Sequence, residues 1–505
     1  MWRADDPQGN EAAKVRWDVV PYTRGTLIDL GCGPSKIFPH AIGVDSGKDT
    51  ELFGIDMRPD VWVETCEDLS DFETEAADSV FSAHLLEHIE DYRSALKEWW
   101  RLVKVGGYLV LYLPHRQYYP NIGQPGANPD HKHDFVPADI VDAMRATLGG
   151  WDLVENQARN DGTEYSFLLV FQKTDGNRHT HSYLTRPKTN KPTACVVRYG
   201  GYGDMLQAAN VLPLLKAEGF HVTVMTTPKG QDILRNDPNV DAWFIQDDNQ
   251  VPNHLLPEFW AHQAKHFDRF VQLSESVEGT LLAMPGRANH AWPWQVRHTH
   301  LNQNYLEFTC ELAGVAYESA ARFYPTDEER VEAQARLTAA GPNFTFALAG
   351  SSVHKFYPGQ DSVIARLLLE FEECRIFLVG DPSCKMLELG WENEPRVVCL
   401  SGEISIRQTL ALAQQCDAVI GPETGVLNAV AFESMRKVVL LSHSSHENLT
   451  KHWTNTAALM PQGVSCYPCH QLHFDRRYCR QDEETGAAVC QRSIAPETVY
   501  EAVVL

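Results

Sequence analysis

Cys195–Gln207, CVVRYGGYGDMLQ, carries an apolar strand into a glycine-rich turn and then, at Asp204, into an apolar helix. The same grammar stands earlier in the chain, at Leu27–Lys36, LIDLGCGPSK. Both stretches ask for a strand–turn–helix unit, the building block of parallel sheets covered by helices on both faces. They differ at the turn. In the first, Gly31 and Gly33 let the backbone bend sharply and approach a ligand closely, with Pro34 following the second glycine. In the second, the glycines end on a carboxylate.

Working outward from these turns, the chain reads as three successive series. From Thr26 to about Lys173, strands (TLIDLG, AIGVD, SVFSAHLL, GYLVLYLP) alternate with helical segments, and WDLVENQ and YSFLLVFQK close the series as an antiparallel pair. Residues 176–192, with two prolines, several basic residues and no acid, read as a linker. Alternation restarts at ACVVRYG and again at NFTFALAG, which divides the remainder into domains at 193–340 and 341–505. The expected fold class is α/β: a Rossmann-like domain over 1–175, followed by two further Rossmann-like domains whose facing edges form a cleft.

Composition agrees with this and excludes other classes. A chain of 505 residues exceeds what one core organises, and 43% hydrophobic with 22% charged residues describes a globular protein. The formal net charge of −23 repels phosphate backbones and anionic membranes, so duplex nucleic acid is a poor partner. The opening MWRADDPQGNEAAK lacks the apolar core of a signal peptide, and no run of about 18 apolar residues appears, so a cytoplasmic location is expected.

The first series resembles the class I S-adenosylmethionine-dependent methyltransferases, in the branch with an LEH signature, over about residues 25–173. The matching residues are Asp29-Leu-Gly-Cys-Gly33, Gly43-Val-Asp45, Cys66-Glu-Asp-Leu69, Ser82-Ala-His-Leu-Leu-Glu-His88 and Val105-Gly-Gly-Tyr-Leu109. The resemblance implies S-adenosylmethionine as cofactor, with Asp29, Gly31 and Gly33 around its methionine end, Asp45 at the ribose, Glu67 or Asp68 at the adenine, and His84 opening the loop that faces the sulfonium. His115, His131 and His133, in PHRQYY and NPDHKHDF, fall near the expected mouth, where a neutral histidine can take a proton from an acceptor hydroxyl or amine. Each serves equally as an ordinary hydrogen-bonding histidine.

At the second turn, Asp204 suits both the N-cap of the helix that follows and the acceptance of a proton in an interdomain cleft. The loop Gly350–Lys355 ends a strand in small residues beside a cation suited to a diphosphate, and VIGPETGVLNAVAF opens a helix at Thr424 and Gly425, as an anion site or a plain cap. Together with FLVGD and KVVLLS, these motifs resemble the ADP-heptose–lipopolysaccharide heptosyltransferases, glycosyltransferases of the GT-B fold, over roughly 193–495. The resemblance implies inverting, metal-independent transfer from a nucleotide-diphosphate sugar. In it Asp204 is the general base, Lys355, Thr424 and Gly425 steady the diphosphate, Glu423 orients the donor sugar and Asp381 holds the nucleotide ribose. Glu423 stands where the family has aspartate, and Asn428 where it has histidine, which puts heptose itself in doubt.

Near the end, Cys466, Cys469, Cys479 and Cys490 form a C-x2-C-x9-C-x10-C pattern. Its readings are structural zinc, disulfides or free thiols, with persistent disulfides disfavoured in a cytoplasmic setting. The function expected from the whole is a bifunctional enzyme that glycosylates and methylates a glycan or glycolipid. The alternatives are a noncatalytic binding or scaffolding role for one module, more so the glycosyltransferase half, and a nucleobase or protein side chain as acceptor.

Overall fold

Seventeen strands form three sheets in the computed structural model, which describes residues 10–47, 57, 59–175, 189–475, 477 and 479–505. Most of the expected linker, 176–188, lies outside the described residues. The chain divides into two compact units, one comprising residues up to 188 together with 244–266, the other comprising 189–243 and 267–505.

The first unit holds β1 (Leu27–Leu30), β2 (Ile42–Asp45), β3 (Val61–Trp62), β4 (Ala77–Ala83), β5 (Val103–Pro114), β6 (Trp151–Arg159) and β7 (Ser166–Lys173), in the order β3-β2-β1-β4-β5-β7-β6. β1 pairs in parallel with both β2 and β4, so the strand order reverses beside it. Such a switch point opens a crevice at the carboxyl ends of the strands, where Gly31, Asp45 and His84 sit. β5–β7 and β6–β7 are antiparallel, as the helix-free end of the series leads one to expect. The helix Tyr92–Leu102 starts where the Asp91 side chain accepts from the Ser94 amide, and buries Ala95, Leu96, Trp99, Trp100 and Leu102 along one stripe. That stripe packs with Ile28, Leu30, Val80, Leu109 and Leu111 of the sheet. Within this unit the segment 244–266 is tied down by Gln250, whose side chain donates to the Val20 carbonyl (2.6 Å) and Thr23 Oγ1 (3.0 Å).

The second sheet is β8 (Thr193–Val197), β9 (His221–Thr226), β10 (Ala242–Ile245) and β11 (Arg269–Gln272), ordered β10-β9-β8-β11; β8 runs parallel to both β9 and β11. The third comprises β12 (Asn343–Ala347), β13 (Arg375–Val379), β14 (Val397–Cys399), β15 (Ala418–Pro422), β16 (Arg436–Leu440) and β17 (Thr456–Leu459). Its order is β14-β13-β12-β15-β16-β17, parallel throughout. These strands read NFTFA, RIFLV and AVIGP, near-continuous apolar runs suited to burial on both faces. The second unit thus pairs two Rossmann-like folds in the GT-B manner. Its largest core joins them: Val196, Met205 and Leu206 from one side share a cluster with Val426, Leu427 and Val439 from the other.

Gly203 and Gly425 explain how close that junction is. A Cβ on Gly203 would lie 3.1 Å from Asn428 Nδ2 and 3.4 Å from Gly425 Cα; one on Gly425 would lie 3.2 Å from the Gly203 nitrogen. The helices Tyr202–Ala208 and Gly425–Ala429 meet start to start, and a side chain at either glycine would force them apart by a few tenths of an ångström. Among the described residues no helix is long and apolar enough to cross a membrane.

Candidate active sites

In the first unit the turn after β1 is built from two left-handed glycines, Gly31 at φ +67° and Gly33 at φ +58°. A Cβ on Gly31 would press on the Leu85 side chain at 2.9 Å, whereas one on Gly33 would meet nothing within 4 Å. Open space therefore flanks Gly33, as a cofactor cradle requires. Two carboxylates fix the turn. Asp29, 2% exposed, accepts from the Ile37 amide (2.7 Å), and burial pushes its carboxyl up to about 7. Asp45 accepts from the amides of Gly33 (3.0 Å) and Gly47 (2.9 Å) through separate oxygens, each of which keeps a lone pair for a further donor.

Glu67 is half-buried and accepts from Thr65 Oγ1 (3.2 Å) and the Asp91 amide (3.4 Å), while Asp68 is exposed and accepts from the Ser70 amide (3.0 Å). His84 leaves β4 in a left-handed conformation, φ +49°, with its Nε2 2.8 Å from Ser166 Oγ. Burial, with the nearby Lys14 ammonium, holds its imidazole down to about 3, so it is neutral near pH 7.

The three candidate acceptor-site histidines part company. His115 Nδ1 accepts from the Gln117 amide (3.1 Å) and its ring stacks on Tyr118; His133 Nε2 reaches the Ile89 and Glu90 carbonyls (3.0 and 3.1 Å). Both are occupied in holding loops. His131 is buried and instead approaches Glu87, a residue that the sequence reading quoted only as part of a signature. A cavity of about 680 Å³ in this unit is lined by Gly25, Asp78, Gly106 and Gln172 at the amino ends of β1, β4 and β5. Ligands of open α/β sheets bind at the opposite, carboxyl ends, so size does not locate the chemistry here.

In the second unit a cavity of about 590 Å³ brings together Asp204, Glu278, Lys355, Asp381, Glu423, Thr424 and Gly425. Asp204 follows β8 and Glu278 follows β11, the strand beside it. Gly201, not Asp204, is the N-cap of the helix; Asp204 stands three positions in and accepts from the Gly201 amide through Oδ2 (2.9 Å), while Oδ1 lies 3.4 Å from the Arg198 guanidinium. Arg198, 2% exposed, also donates to both oxygens of Glu278 (2.8 Å each) and to the Leu273 carbonyl (2.8 Å). One buried cation thus holds two carboxylates at the cavity wall. Burial, with the Asp204 charge beside it, pushes the Glu278 carboxyl up to about 7. The sequence reading missed Glu278 altogether. Its one signal was Arg198, a charge at the end of an otherwise apolar strand, which demands a partner.

On the other wall, the Lys355 side chain folds over Gly350, where a Cβ would sit 2.5 Å from Lys355 Cδ. Burial lowers the Lys355 ammonium from its ordinary value, opposed by the Glu423, Asp204 and Glu278 carboxylates, and among the described residues no hydrogen bond or ion pair engages it. Glu423 accepts from the amides of Ser442 (2.7 Å) and Ser444 (3.2 Å) and lies 2.5 Å from His443 Nδ1. Burial alone would raise its carboxyl; His443, Lys355 and the Ser442 amide outweigh that and hold it below the usual range. Asp381 caps the 3-10 turn Pro382–Leu387 through the Ser383 amide (2.8 Å). Asn428 accepts from Gln207 Nε2 (3.2 Å) and donates to the Thr424 carbonyl (3.0 Å), bridging the two helix starts.

Of the tail cysteines, Cys490 is buried, Cys469 and Cys479 half-buried, and Cys466 exposed. Burial pushes the Cys469 thiol up to about 12, with Cys466 and Cys479 close enough to add to the shift, and it raises Cys490 likewise. Among the described residues, no three ligand atoms of this tail lie within 4.8 Å of one another.

A methyltransferase-domain family model matches residues 28–111, from β1 into β5. No curated protein matches the sequence. Among solved structures, the chain is similar to E. coli ADP-heptose lipopolysaccharide heptosyltransferase II at 15% identity, covering 62% of this chain and 97% of that one with a TM-score of 0.44. A family 9 glycosyltransferase from Veillonella parvula matches at 15% identity, over 62% and 96% of the two chains, with a TM-score of 0.44. An S-adenosylmethionine-dependent methyltransferase from Archaeoglobus fulgidus matches at 18% identity, over 32% and 92%, with a TM-score of 0.24.

Proposed function

From the methyltransferase domain, which makes the chain a transferase, we propose a bifunctional enzyme that methylates and glycosylates a glycan or glycolipid acceptor. The observation that carries the second activity is the carboxylate pair Asp204–Glu278, held by the buried Arg198 in a cavity whose other wall presents Lys355. Asp204 accepts the proton of an acceptor hydroxyl. Arg198, 3.4 Å from Oδ1, aims that carboxylate, and Glu278 stands beside it on the same guanidinium. Lys355 supplies the mobile positive charge that a leaving nucleotide diphosphate needs, so no general acid is required. Attack by a base-activated hydroxyl on the face opposite the diphosphate makes the transfer inverting and metal-independent. Glu423 acts by shaping the Ser442–Ser444 loop beneath the donor sugar, and Asp381 stands at the nucleotide end.

In the first unit, S-adenosylmethionine supplies the methyl group when bound. The chain's share is the open flank of Gly33, the Asp45 carboxylate that orders the turn and has lone pairs left for ribose hydroxyls, and Glu67 and Asp68 at the adenine side. In the tail, Cys466, Cys469, Cys479 and Cys490 are the zinc ligands of this reading on their residue chemistry alone; as placed, no three of their sulfurs lie within 4.8 Å of one another, and burial opposes deprotonation of Cys469 and Cys490, so binding would have to draw the four together. Metal analysis of the purified protein beside Cys466→Ser tests this, and equal zinc content in both would exclude it.

Titration calorimetry with S-adenosylhomocysteine and a panel of nucleoside diphosphates tests the two-enzyme reading, which falls if no nucleotide binds. Asp204→Asn should slow sugar transfer by about 10²–10⁴-fold while nucleotide affinity holds. Turnover at the wild-type rate would remove Asp204 as the base.

A further inference from the structure

Glu87 is fully buried in the short turn Leu86–His88 after β4, yet neither of its carboxylate oxygens has a hydrogen-bond partner from another residue. A buried carboxyl left so is costly in either protonation state. Three imidazoles surround it at nearly one distance: His84 Nδ1, His88 Nε2 and His131 Nε2 lie 3.8, 3.9 and 4.0 Å from Glu87 Oε1. A protonated carboxyl would need an acceptor within hydrogen-bond reach, and each of these is too far. A shared cation needs a different spacing. Ligand atoms at about 2.1 Å from one metal stand roughly 3–3.6 Å apart, so the distances from Glu87 to His88 and His131 need close by only about half an ångström, and the trio as a whole already lies within 4.8 Å.

The site is also held together. The Lys132 and His133 amides donate to the Glu87 carbonyl (2.7 and 3.2 Å), which fixes the loop that carries His131 against the turn that carries Glu87. Asp130 Oδ2 lies 3.4 Å from His88 Nδ1, the ring nitrogen opposite the one beside Glu87. His88 Nδ1 is buried and makes no hydrogen bond, so the Asp130 carboxylate is the group placed to accept its N–H and leave Nε2 free for a metal. One ligand atom from each of Glu87, His88 and His131 lies within 4.8 Å of the others. The comparable trio Asp18, His262 and His266 differs in kind, because the Arg159 guanidinium already neutralises Asp18 at 2.8 Å.

We propose that Glu87, His88 and His131 bind a divalent transition metal, with Asp130 positioning His88. Two imidazoles and one carboxylate suit zinc, cobalt, iron or manganese and leave coordination positions open. Beside His84, at the carboxyl end of β4, such a cation would take a hydroxyl of the methyl acceptor as a further ligand and lower its pKa; this last role rests on the methyltransferase reading above.

Cobalt(II) titrated into the metal-stripped full chain, followed by visible absorption, tests the site. In a Cys466→Ser, Cys469→Ser background, so that the cysteine tail does not compete for cobalt, expected is a band from nitrogen and oxygen ligation, without near-ultraviolet thiolate charge transfer, that saturates at about one equivalent. Glu87→Gln and His131→Gln should each abolish it, Asp130→Asn should weaken cobalt binding by about tenfold or more, and Asp18→Asn should leave it intact. The proposal is overturned if the band is absent from that background or survives in both ligand variants. S-adenosylhomocysteine binding, measured by calorimetry on the same samples, shows that the variants remain folded. Cobalt binding without any S-adenosylhomocysteine binding to the wild type would sink the methyltransferase reading and leave the metal site standing.

Discussion

The turns after β1 and β8 are written in nearly the same letters and use their glycines for different physical ends. After β1, Gly31 and Gly33 are needed for their dihedral angles, and the backbone they shape borders open space at Gly33. After β8, Gly203 is needed because another backbone, that of Gly425, approaches it. The carboxylates differ in the same sense. Among the described residues Asp29 and Asp45 accept only from nearby backbone amides, Asp45 with lone pairs left over, whereas Asp204 gives one oxygen to its helix and keeps the other at a cavity wall beside the buried Arg198. A glycine-rich strand–turn–helix therefore specifies a fold, and the partners of its acids specify what the turn does.

The sharpest way to break that comparison is to remove the cation on which only the second turn depends. Arg198→Met leaves Asp204 and Glu278 facing each other without compensation, and breaking a buried ion pair from one side costs about 3–5 kcal/mol. Denaturant unfolding of the second unit should show a loss of that size at pH 8. The loss should shrink at pH 5, where protonation of the pair relieves the repulsion. A loss independent of pH would mean that Arg198 acts by packing alone.

A smaller effect isolates the pair itself. The folded protein holds the Glu278 proton more tightly than the unfolded chain does, with a carboxyl at about 7 against an ordinary value of 4.5. Its contribution to stability is therefore present in full below about pH 4.5 and is lost as pH rises through about 7, on the order of 3 kcal/mol in all. Glu278→Gln should flatten stability across that window. In the wild type, sugar transfer should rise with pH through about 7 as Glu278 releases its proton and adds a negative charge beside the acceptor hydroxyl; in Glu278→Gln that limb should vanish. A profile unchanged by the substitution would place the titration elsewhere.

The architecture was legible because its cause is local. Runs such as NFTFA and RIFLV can only be strands buried on two faces, and alternation with helices fixes parallel pairing. The antiparallel end of the first sheet followed from the missing helix before YSFLLVFQK. Glu278 was illegible because Asp204 and Glu278 meet only through the adjacency of β8 and β11, 74 positions apart in sequence. Arg198 lies within Cys195–Gln207, two residues before Gly200, and a buried charge at a strand end is the signal for a second acid. Likewise LEH was read as a signature, although its glutamate, buried and unpartnered, is the physically unusual member. The placement of 244–266 with the first unit had no sequence signal, since Gln250 and its backbone acceptors are ordinary residues until the fold brings them together.

The smallest effect is also the most discriminating for the two kinds of glycine. Gly33→Ala forces an L-residue to φ +58° with room for its methyl group, a strain of about 1 kcal/mol, and the methyl occupies the open flank of the turn. Gly425→Ala has no such dihedral cost, but its methyl meets the Gly203 nitrogen at 3.2 Å, so the two helix starts must part by a few tenths of an ångström. Both variants should unfold within about 1–2 kcal/mol of the wild type. Calorimetry should separate them: Gly33→Ala weakens S-adenosylhomocysteine and spares nucleotide binding, and Gly425→Ala does the reverse. If Gly33→Ala binds S-adenosylhomocysteine as the wild type does, the space beside Gly33 is not the cofactor's, and the two turns are more alike than their glycines indicate.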